Sequence, residues 1–232
     1  MVCMLTVATA TLAQPEPSPA PVTWELKFDP TPPMRISVDL GKGPQTFWYM
    51  LYTVTNNTGQ DIDFHPEIVR VNEIETEATA EQAASQPAAA PTITVDPAIV
   101  GVHPAVFKKI QEAHKRTHPF LKQPVDAIGK LLQGQDNALT SVAVFPDLDP
   151  RVSKFTIYVT GLSGEQITKP NPRYDPKKAD GDARKPDGKS GSADARFFVL
   201  RKTLAMPYTL PGDVKTRRTA EPKLGKMGWV MR

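Results

Sequence analysis

The sequence has one cysteine, Cys3, in 232 residues, and only 7% of its residues are aromatic. A single cysteine cannot form an internal disulfide, so the folded state must depend on the burial of apolar side chains. This composition fits an intracellular protein or an exported bacterial protein that lacks disulfides. No run of about 20 apolar residues is present, so the sequence predicts no transmembrane helix.

The motifs of common catalytic and cofactor sites are also missing. The chain has no GxSxG elbow, no HExxH pair, and no glycine-rich loop ending in Lys-Ser or Lys-Thr. Asp147 and Asp149, and the aspartates within 180–187, lack the bidentate glutamate that closes an EF-hand loop. Asp147 and Asp149 are expected to cap a turn. We therefore expect no catalytic residue, no cofactor and no enzymatic activity.

Charge is weakly unbalanced overall but concentrated at the C-terminal end. The formal net charge is +3, while residues 213–232 contain six basic and two acidic residues, a net +4. A nucleic-acid-binding protein carries a basic face on its folded body, so we expect no nucleic-acid partner. The basic tail is instead expected to bind another envelope protein or an anionic envelope polymer. The residues predicted to bind this partner are Arg217, Arg218, Lys223, Lys226 and Trp229.

Alternating apolar and polar residues predict an antiparallel β fold, because successive side chains of a strand point to opposite faces. The longest such segment, residues 47–55, is apolar on both faces and needs cover on each side. Residues 56–59 (NNTG) form a predicted tight turn into a second strand at 62–64, which together make a central β-hairpin. Further strands are predicted at 22–28, 36–40, 67–74, 92–95, 138–145, 155–161 and 196–204, with an edge strand within 227–232.

Around VTNNTG the sequence resembles the middle hairpin of generic bacterial immunoglobulin-like domains. This resemblance implies a β-sandwich in an extracytoplasmic setting, and it implies no activity. The predicted fold class is thus mainly β, an immunoglobulin-like antiparallel β-sandwich with a short two-helix insertion and disordered loops.

The predicted domain organisation is a single sandwich at 22–212, with extra segments at both ends. Residues 1–13 are similar to the end of a signal peptide whose start lies further upstream, and 14–21 form a proline-rich spacer. The helical insertion spans about 103–134 and is expected to cover an open end or edge of the sandwich. Residues 76–91 and 169–195 are expected to be mobile or disordered loops, and 213–232 form the basic tail.

Histidines within the insertion support an alternative. His114 and His118 are four residues apart, as in a helical metal-binding pair, and His103 precedes them. Solvated histidines explain the same pattern, because no carboxylate accompanies them. Three hypotheses follow: a non-enzymatic exported module of the cell envelope, a metal-dependent binder or enzyme using these histidines, and a subunit that docks through its basic tail.

Overall fold

A computed structural model describes residues 15–74, 91–172, 174, 196–217 and 219–232. The predicted mainly β class is confirmed: antiparallel sheets dominate, and the described residues contain one α-helix. The elements are β1 Lys27–Pro30, β2 Met34–Asp39, β3 Pro44–Thr55, β4 Ile62–Phe64, β5 Glu67–Ile74, β6 Thr92–Pro97, α1 Pro104–Ala113, β7 Gly129–Leu131, β8 Leu139–Pro146, β9 Val152–Thr160, β10 Gln166–Pro170, β11 Phe197–Thr209, β12 Lys223–Leu224 and β13 Gly228–Met231. The predicted signal-like segment 1–13 lies outside the described residues, as do most of 76–91 and 169–195.

The first sheet is built around β3. β8 pairs with one side of β3, while β1 and β2 pair in succession with the other side. Between β1 and β2 the chain leaves the ladder at Thr31. The hydroxyl of Thr31 accepts a hydrogen bond from the Leu51 amide at 3.1 Å, and the Thr31 amide donates to the Leu51 carbonyl at 2.8 Å. The Thr31 hydroxyl thus takes the place of the backbone carbonyl that would otherwise accept from the Leu51 amide in the ladder.

The second sheet has the strand order β10-β11-β9-β5-β6, with β12 and β13 on the remaining side of β11. β9 and β10 pair with successive halves of β11 and are separated by a bulge at residues 161–165. β6 therefore forms one edge of this sheet and β12 with β13 forms the opposite edge, while β10 is also unpaired on its far side among the described strands. The predicted strands at 67–74 and 92–95, and the C-terminal edge strand, are all present.

The predicted central hairpin is wrong. β3 and β4 do not pair, because β4 pairs with β7 in a separate two-stranded sheet. Asn56 explains the departure: its buried side-chain amide donates to the carbonyls of Gln60 at 2.8 Å and Leu131 at 2.9 Å. The turn therefore directs the chain out of the first sheet rather than back along β3.

The predicted cover on both faces of β3 is confirmed. Met50 and Leu51 are neighbours in sequence and both are 0% exposed. Met50 faces the core between the two sheets, whereas Leu51 packs with Val106 and Ile110 of α1. Helix α1 thus covers the outer face of the first sheet, and the expectation that it covers an end or edge is wrong.

The second helix predicted within the 103–134 insertion is also wrong. A 3₁₀ turn spans Val125–Ala127, Ile128 is extended, and β7 follows. Gly129 has φ +128°, a conformation that interrupts a helix and that glycine adopts readily. Pairing with β4 then fixes this segment as a strand. No helix in the described part of the chain is long and apolar enough to cross a membrane.

The N-terminal segment crosses between the sheets. Residues before β1 pair with the 161–165 bulge through the Leu26 amide, which donates to the Leu162 carbonyl at 2.8 Å. The predicted strand at 22–28 therefore becomes regular only at Lys27. Within the predicted spacer, the Ser18 amide donates to the Glu165 carboxylate at 2.8 Å, so the described end of that segment is bound to the domain.

Candidate functional site

The final two strands form an open edge of the second sheet. β13 runs antiparallel to β11, and Arg201 and Arg232 exchange backbone hydrogen bonds of 2.7 and 3.1 Å. Because hydrogen-bonded and non-hydrogen-bonded pairs alternate, the backbone groups of Trp229 and Met231 point away from β11. Among the described strands none pairs with that outer side. We call residues 223–232 the C-terminal edge.

The C-terminal edge carries basic side chains and no acidic one. Lys223, Lys226 and Arg232 are exposed, and residues 223–232 contain no aspartate or glutamate. The Arg232 guanidinium lies 4.3 Å from the ring centroid of Tyr158, which holds it over the outer face of the sheet. Exposed Arg201 lies opposite Arg232 and adds a fourth cation to this surface.

Trp229 points inward rather than toward a partner. Its half-buried ring packs against the core between the sheets, and the ammonium of Lys202 lies 5.2 Å from the ring centroid. Trp229 therefore attaches the C-terminal edge to the sandwich. Among the residues predicted to bind a partner, Lys223 and Lys226 project from the edge.

Arg217 lies away from the edge, in the loop after β11. Its Nε donates to the Gly212 carbonyl at 2.9 Å and its Nη1 donates to the Arg151 carbonyl at 3.3 Å. Arg218 lies outside the described residues. The structure thus separates Arg217 from Lys223 and Lys226, which the sequence placed in one basic tail.

A buried lysine connects the edge to the N-terminal segment. Lys202 is 2% exposed, and its ammonium lies 3.0 Å from Glu25 and 3.2 Å from Glu165. It also donates to the Ser18 carbonyl at 3.2 Å. Burial lowers the pKa of Lys202, but the two carboxylates outweigh burial and raise it overall. The Ser18 amide and Lys202 together hold the pKa of Glu165 below its ordinary value.

Arg70 is a second buried cation, and it lies in β5, beside the opposite edge strand of the same sheet. Arg70 donates to Asp96 at 2.7 Å and to the Pro146 carbonyl at 2.9 Å, with its guanidinium 5.2 Å from the centroid of Phe145. Burial lowers the pKa of Arg70, and the hydrogen bond to Asp96 opposes that shift. Asp96 also accepts from Asn72 at 2.7 Å, so its carboxylate is committed to the interior.

Sequence reasoning did not identify these buried cations, although the pattern carried a signal. Lys202 shares the phase of Leu204 and Met206 in β11, and Arg70 shares the phase of Ile68 in β5. Side chains two residues apart in a strand lie on the same face, so the pattern places both cations on the buried face. A charged residue in the apolar phase of a strand indicates a buried partner.

The three histidines do not share one site. His103 is the N-cap of α1 and accepts from the Ala105 amide at 3.2 Å, while His114 is its C-cap. Ten helical residues separate them, a length of about 15 Å. His114 lies 5.9 Å from His118 between ring centroids and hydrogen-bonds the Tyr49 hydroxyl at 3.0 Å. Burial and the nearby His118 lower the pKa of His114. No group of three His, Cys, Asp or Glu in the described residues is arranged to hold a metal ion.

Two open clefts of about 220 Å³ flank the sandwich. The first lies beside Asp147 and Asp149, which act as turn residues. Asp147 accepts from the Trp48 indole at 3.2 Å, and side-chain and backbone hydrogen bonds from Arg151 lower the pKa of Asp149 to about 2. The second cleft includes His65 and the bulge residues Ser163 and Glu165, with Arg201 at its rim. Glu165 faces this cleft but is already engaged by Lys202.

No protein-family model, curated protein or solved structure matches this chain. The immunoglobulin-like resemblance accordingly stays a prediction.

Proposed function

We propose that this chain is a non-enzymatic, exported β-sandwich module of the cell envelope that binds a partner along the C-terminal edge. The observation that carries the proposal is the geometry of β13. Its outward backbone groups, at Trp229 and Met231, pair with no described strand, and exposed cations border them. An edge of this kind is a template for the addition of another strand.

Charge selects the partner. Three basic side chains with no aspartate or glutamate among them attract an extended acidic segment, and charge complementarity mainly accelerates encounter and improves specificity. Main-chain hydrogen bonds to Trp229 and Met231 provide the affinity of strand addition. The preferred partner is therefore an acidic, extended segment of another envelope protein. An anionic polymer without backbone amides would use the charges alone.

The non-enzymatic part of the proposal rests on how the titratable groups are used. Lys202, Glu165 and Arg70 are bound to partners inside the fold, and His103 caps a helix. Each of these groups therefore has a structural role. The export part rests on the signal-like residues 1–13 and the proline-rich segment that follows them. Recovery of the protein only from the cytosol, with Met1 retained, would overturn this part.

The binding proposal is tested with a fluorescent peptide that alternates aspartate and valine, compared with a peptide that alternates lysine and valine. The acidic peptide is expected to bind and to weaken as salt increases. The triple variant Lys223→Glu, Lys226→Glu and Arg232→Glu should lose this binding. A matched triple reversal at the exposed residues Lys42, Lys115 and Lys130 should retain it.

Two further probes separate strand addition from simple ion binding. An acidic peptide with proline at its central positions cannot donate main-chain hydrogen bonds and should bind more weakly. Polyphosphate carries charge without a backbone amide, so it should bind no better than the proline peptide. Equal binding of all three anions would replace strand addition by nonspecific polyanion binding, and no binding of any would overturn the proposal.

A further inference from the structure

The edge of the second sheet opposite the C-terminal edge, β6, has a different chemistry. β6 pairs with β5 on one side, and within the described chain no strand pairs with its other side. Ile93 and Val95 are each 53% exposed on the outer face of this strand. Natural edge strands are usually protected by lysine or bulges. This one exposes two β-branched apolar side chains instead, so it resembles an interface more than a protected edge.

The hydrogen-bond phase of β6 defines which backbone groups are available. The Ala98 amide donates to the Ile68 carbonyl at 2.9 Å, which makes these two residues a hydrogen-bonded pair. By alternation, Thr94 bonds to β5, whereas the backbone groups of Ile93 and Val95 point outward. The next outward positions on either side, residues 91 and 97, are prolines without an N–H. The open edge therefore offers two amide donors, bracketed by prolines.

This edge has no exposed charge to oppose a copy of itself. Asp96, its one charged residue, faces inward and accepts from Arg70 and Asn72 at 2.7 Å each. The C-terminal edge differs, because pairing it with a copy of itself would bring its cations together. Like charges directly opposite across strands are destabilising. Charge thus favours a second copy at β6 and an acidic partner at β13.

We propose that two copies of this chain associate through their β6 strands in a two-fold antiparallel pair with Thr94 opposite Thr94. In this register Ile93 of each copy faces Val95 of the other, and their outward N–H and C=O groups form four hydrogen bonds. A register with Val95 opposite Val95 would place Ile93 against a proline and leave the Ile93 carbonyl without a donor. Pro91 and Pro97 therefore favour the register with Thr94 opposite Thr94.

The apolar side chains contribute to the same interface. Ile93 and Val95 would lie beside one another across the junction, where cross-strand β-branched pairs stabilise a sheet. The two second sheets would become one continuous sheet. Because the contact uses the same surface on both copies, it closes as a dimer and cannot extend into a fibre. This inference does not depend on the proposed function, because it concerns the opposite edge of the sheet.

Sedimentation of the full chain tests the association. The wild-type protein should form a concentration-dependent dimer, and Val95→Lys should weaken it by about tenfold or more, because lysine protects an edge strand. Val95 is exposed, so the variant should keep the wild-type circular dichroism and, at concentrations where both proteins are monomeric, the wild-type unfolding midpoint. The exposed residue Val199 on β11 provides the matched control, Val199→Lys. A wild-type monomer, or a dimer unaffected by Val95→Lys, would overturn the proposal.

Cross-linking tests the register. Thr94→Cys is made together with Cys3→Ser, which removes the only other cysteine. Opposed residues of a non-hydrogen-bonded pair lie about 4.5 Å apart at Cα, within reach of a disulfide. Mild oxidation should therefore give a covalent dimer with Cys at position 94. The exposed control Thr168→Cys on β10, in the same background, should stay monomeric. Equal cross-linking of both variants, or none at position 94, would overturn the register.

Discussion

Replacement of Leu51 by alanine should loosen helix α1 before it loosens the sandwich. Leu51 is 0% exposed and packs with Val106 and Ile110 of the helix on the outer face of the first sheet. Its neighbour Met50, equally buried, faces the core between the two sheets. Two adjacent residues of one strand therefore support different parts of the structure.

The size of the effect follows from the carbons removed and the space they leave. Leu51→Ala deletes three carbon groups, and each buried CH₂ is worth about 0.8 kcal/mol. A cavity that collapses only partly adds to this loss, and measured Leu→Ala costs are about 2–5 kcal/mol. We expect the free energy of unfolding to fall by about 3–4 kcal/mol. Met50→Ala should cost a similar amount, because substitutions of this class share the same range.

Hydrogen exchange distinguishes the two variants. In Leu51→Ala the amides of helix α1 from Ala105 onward should lose more protection than those of β9 and β11, because the helix loses its contact with the first sheet. In Met50→Ala the strands of the second sheet should lose protection instead. Urea unfolding of both variants measures the global cost. An equal loss of helix protection in the two variants would refute a separate helix-facing core on β3.

Three further predictions concern buried contacts. Lys202→Met leaves two carboxylates without their counter-charge, so the urea midpoint should fall. The pKa of Glu165 in the folded protein is lowered from 4.5, so its carboxylate stabilises the fold above pH 4.5. This stabilisation is lost as the pH falls through the lowered pKa. Glu165→Gln should therefore make the unfolding free energy less dependent on pH in that range. Gly161→Ala places a Cβ 2.5 Å from the His65 carbonyl at φ +88°, whereas Gly43→Ala meets nothing within 4 Å at φ +94°. Both should lose about 1–3 kcal/mol of unfolding free energy, Gly161→Ala more, as measured by urea unfolding.

Local alternation was sufficient to predict most strands. β5, β6 and β9 follow from it because burial of a strand depends on a period of two, which a few residues already display. The two apolar faces of β3 also predicted that something must cover each side. The segment did not show which element covers each face, because a sheet and a helix can both pack against an apolar face of a strand.

Strand pairing could not be deduced from the same local pattern. Residues 56–59 have the composition of a hairpin turn, but the decisive contact is the amide of Asn56 with the Leu131 carbonyl, 75 residues away. Pairing of β7 with β4, next to this contact, explains why 129–131 is a strand rather than part of a helix. Tertiary pairing here overrides local preference.

The sequence predicted the basic composition of residues 213–232 and an edge strand within 227–232, but it did not predict how that strand is held. Neither a charge count nor a short apolar run shows whether the end of the chain is loose or packed. Trp229 provides the attachment, because its ring packs against the core beside Lys202. This contact ties the basic side chains to a rigid sheet, which makes their spacing and the free backbone edge consequences of the fold.

The two proposals together predict a bivalent particle. The C-terminal edge and β6 lie on opposite sides of the same sheet, separated by three strands, so association through β6 leaves both C-terminal edges open. A dimer should then bind a surface densely coated with the acidic peptide far more tightly than it binds the free peptide, by about 10²-fold or more. Val95→Lys should remove this enhancement, because it converts the dimer with two binding edges into a monomer with one. The affinity for the free peptide should be unchanged, because the C-terminal edge is not altered. An equal loss of surface and free-peptide binding in Val95→Lys would show that β6 itself contacts the acidic segment.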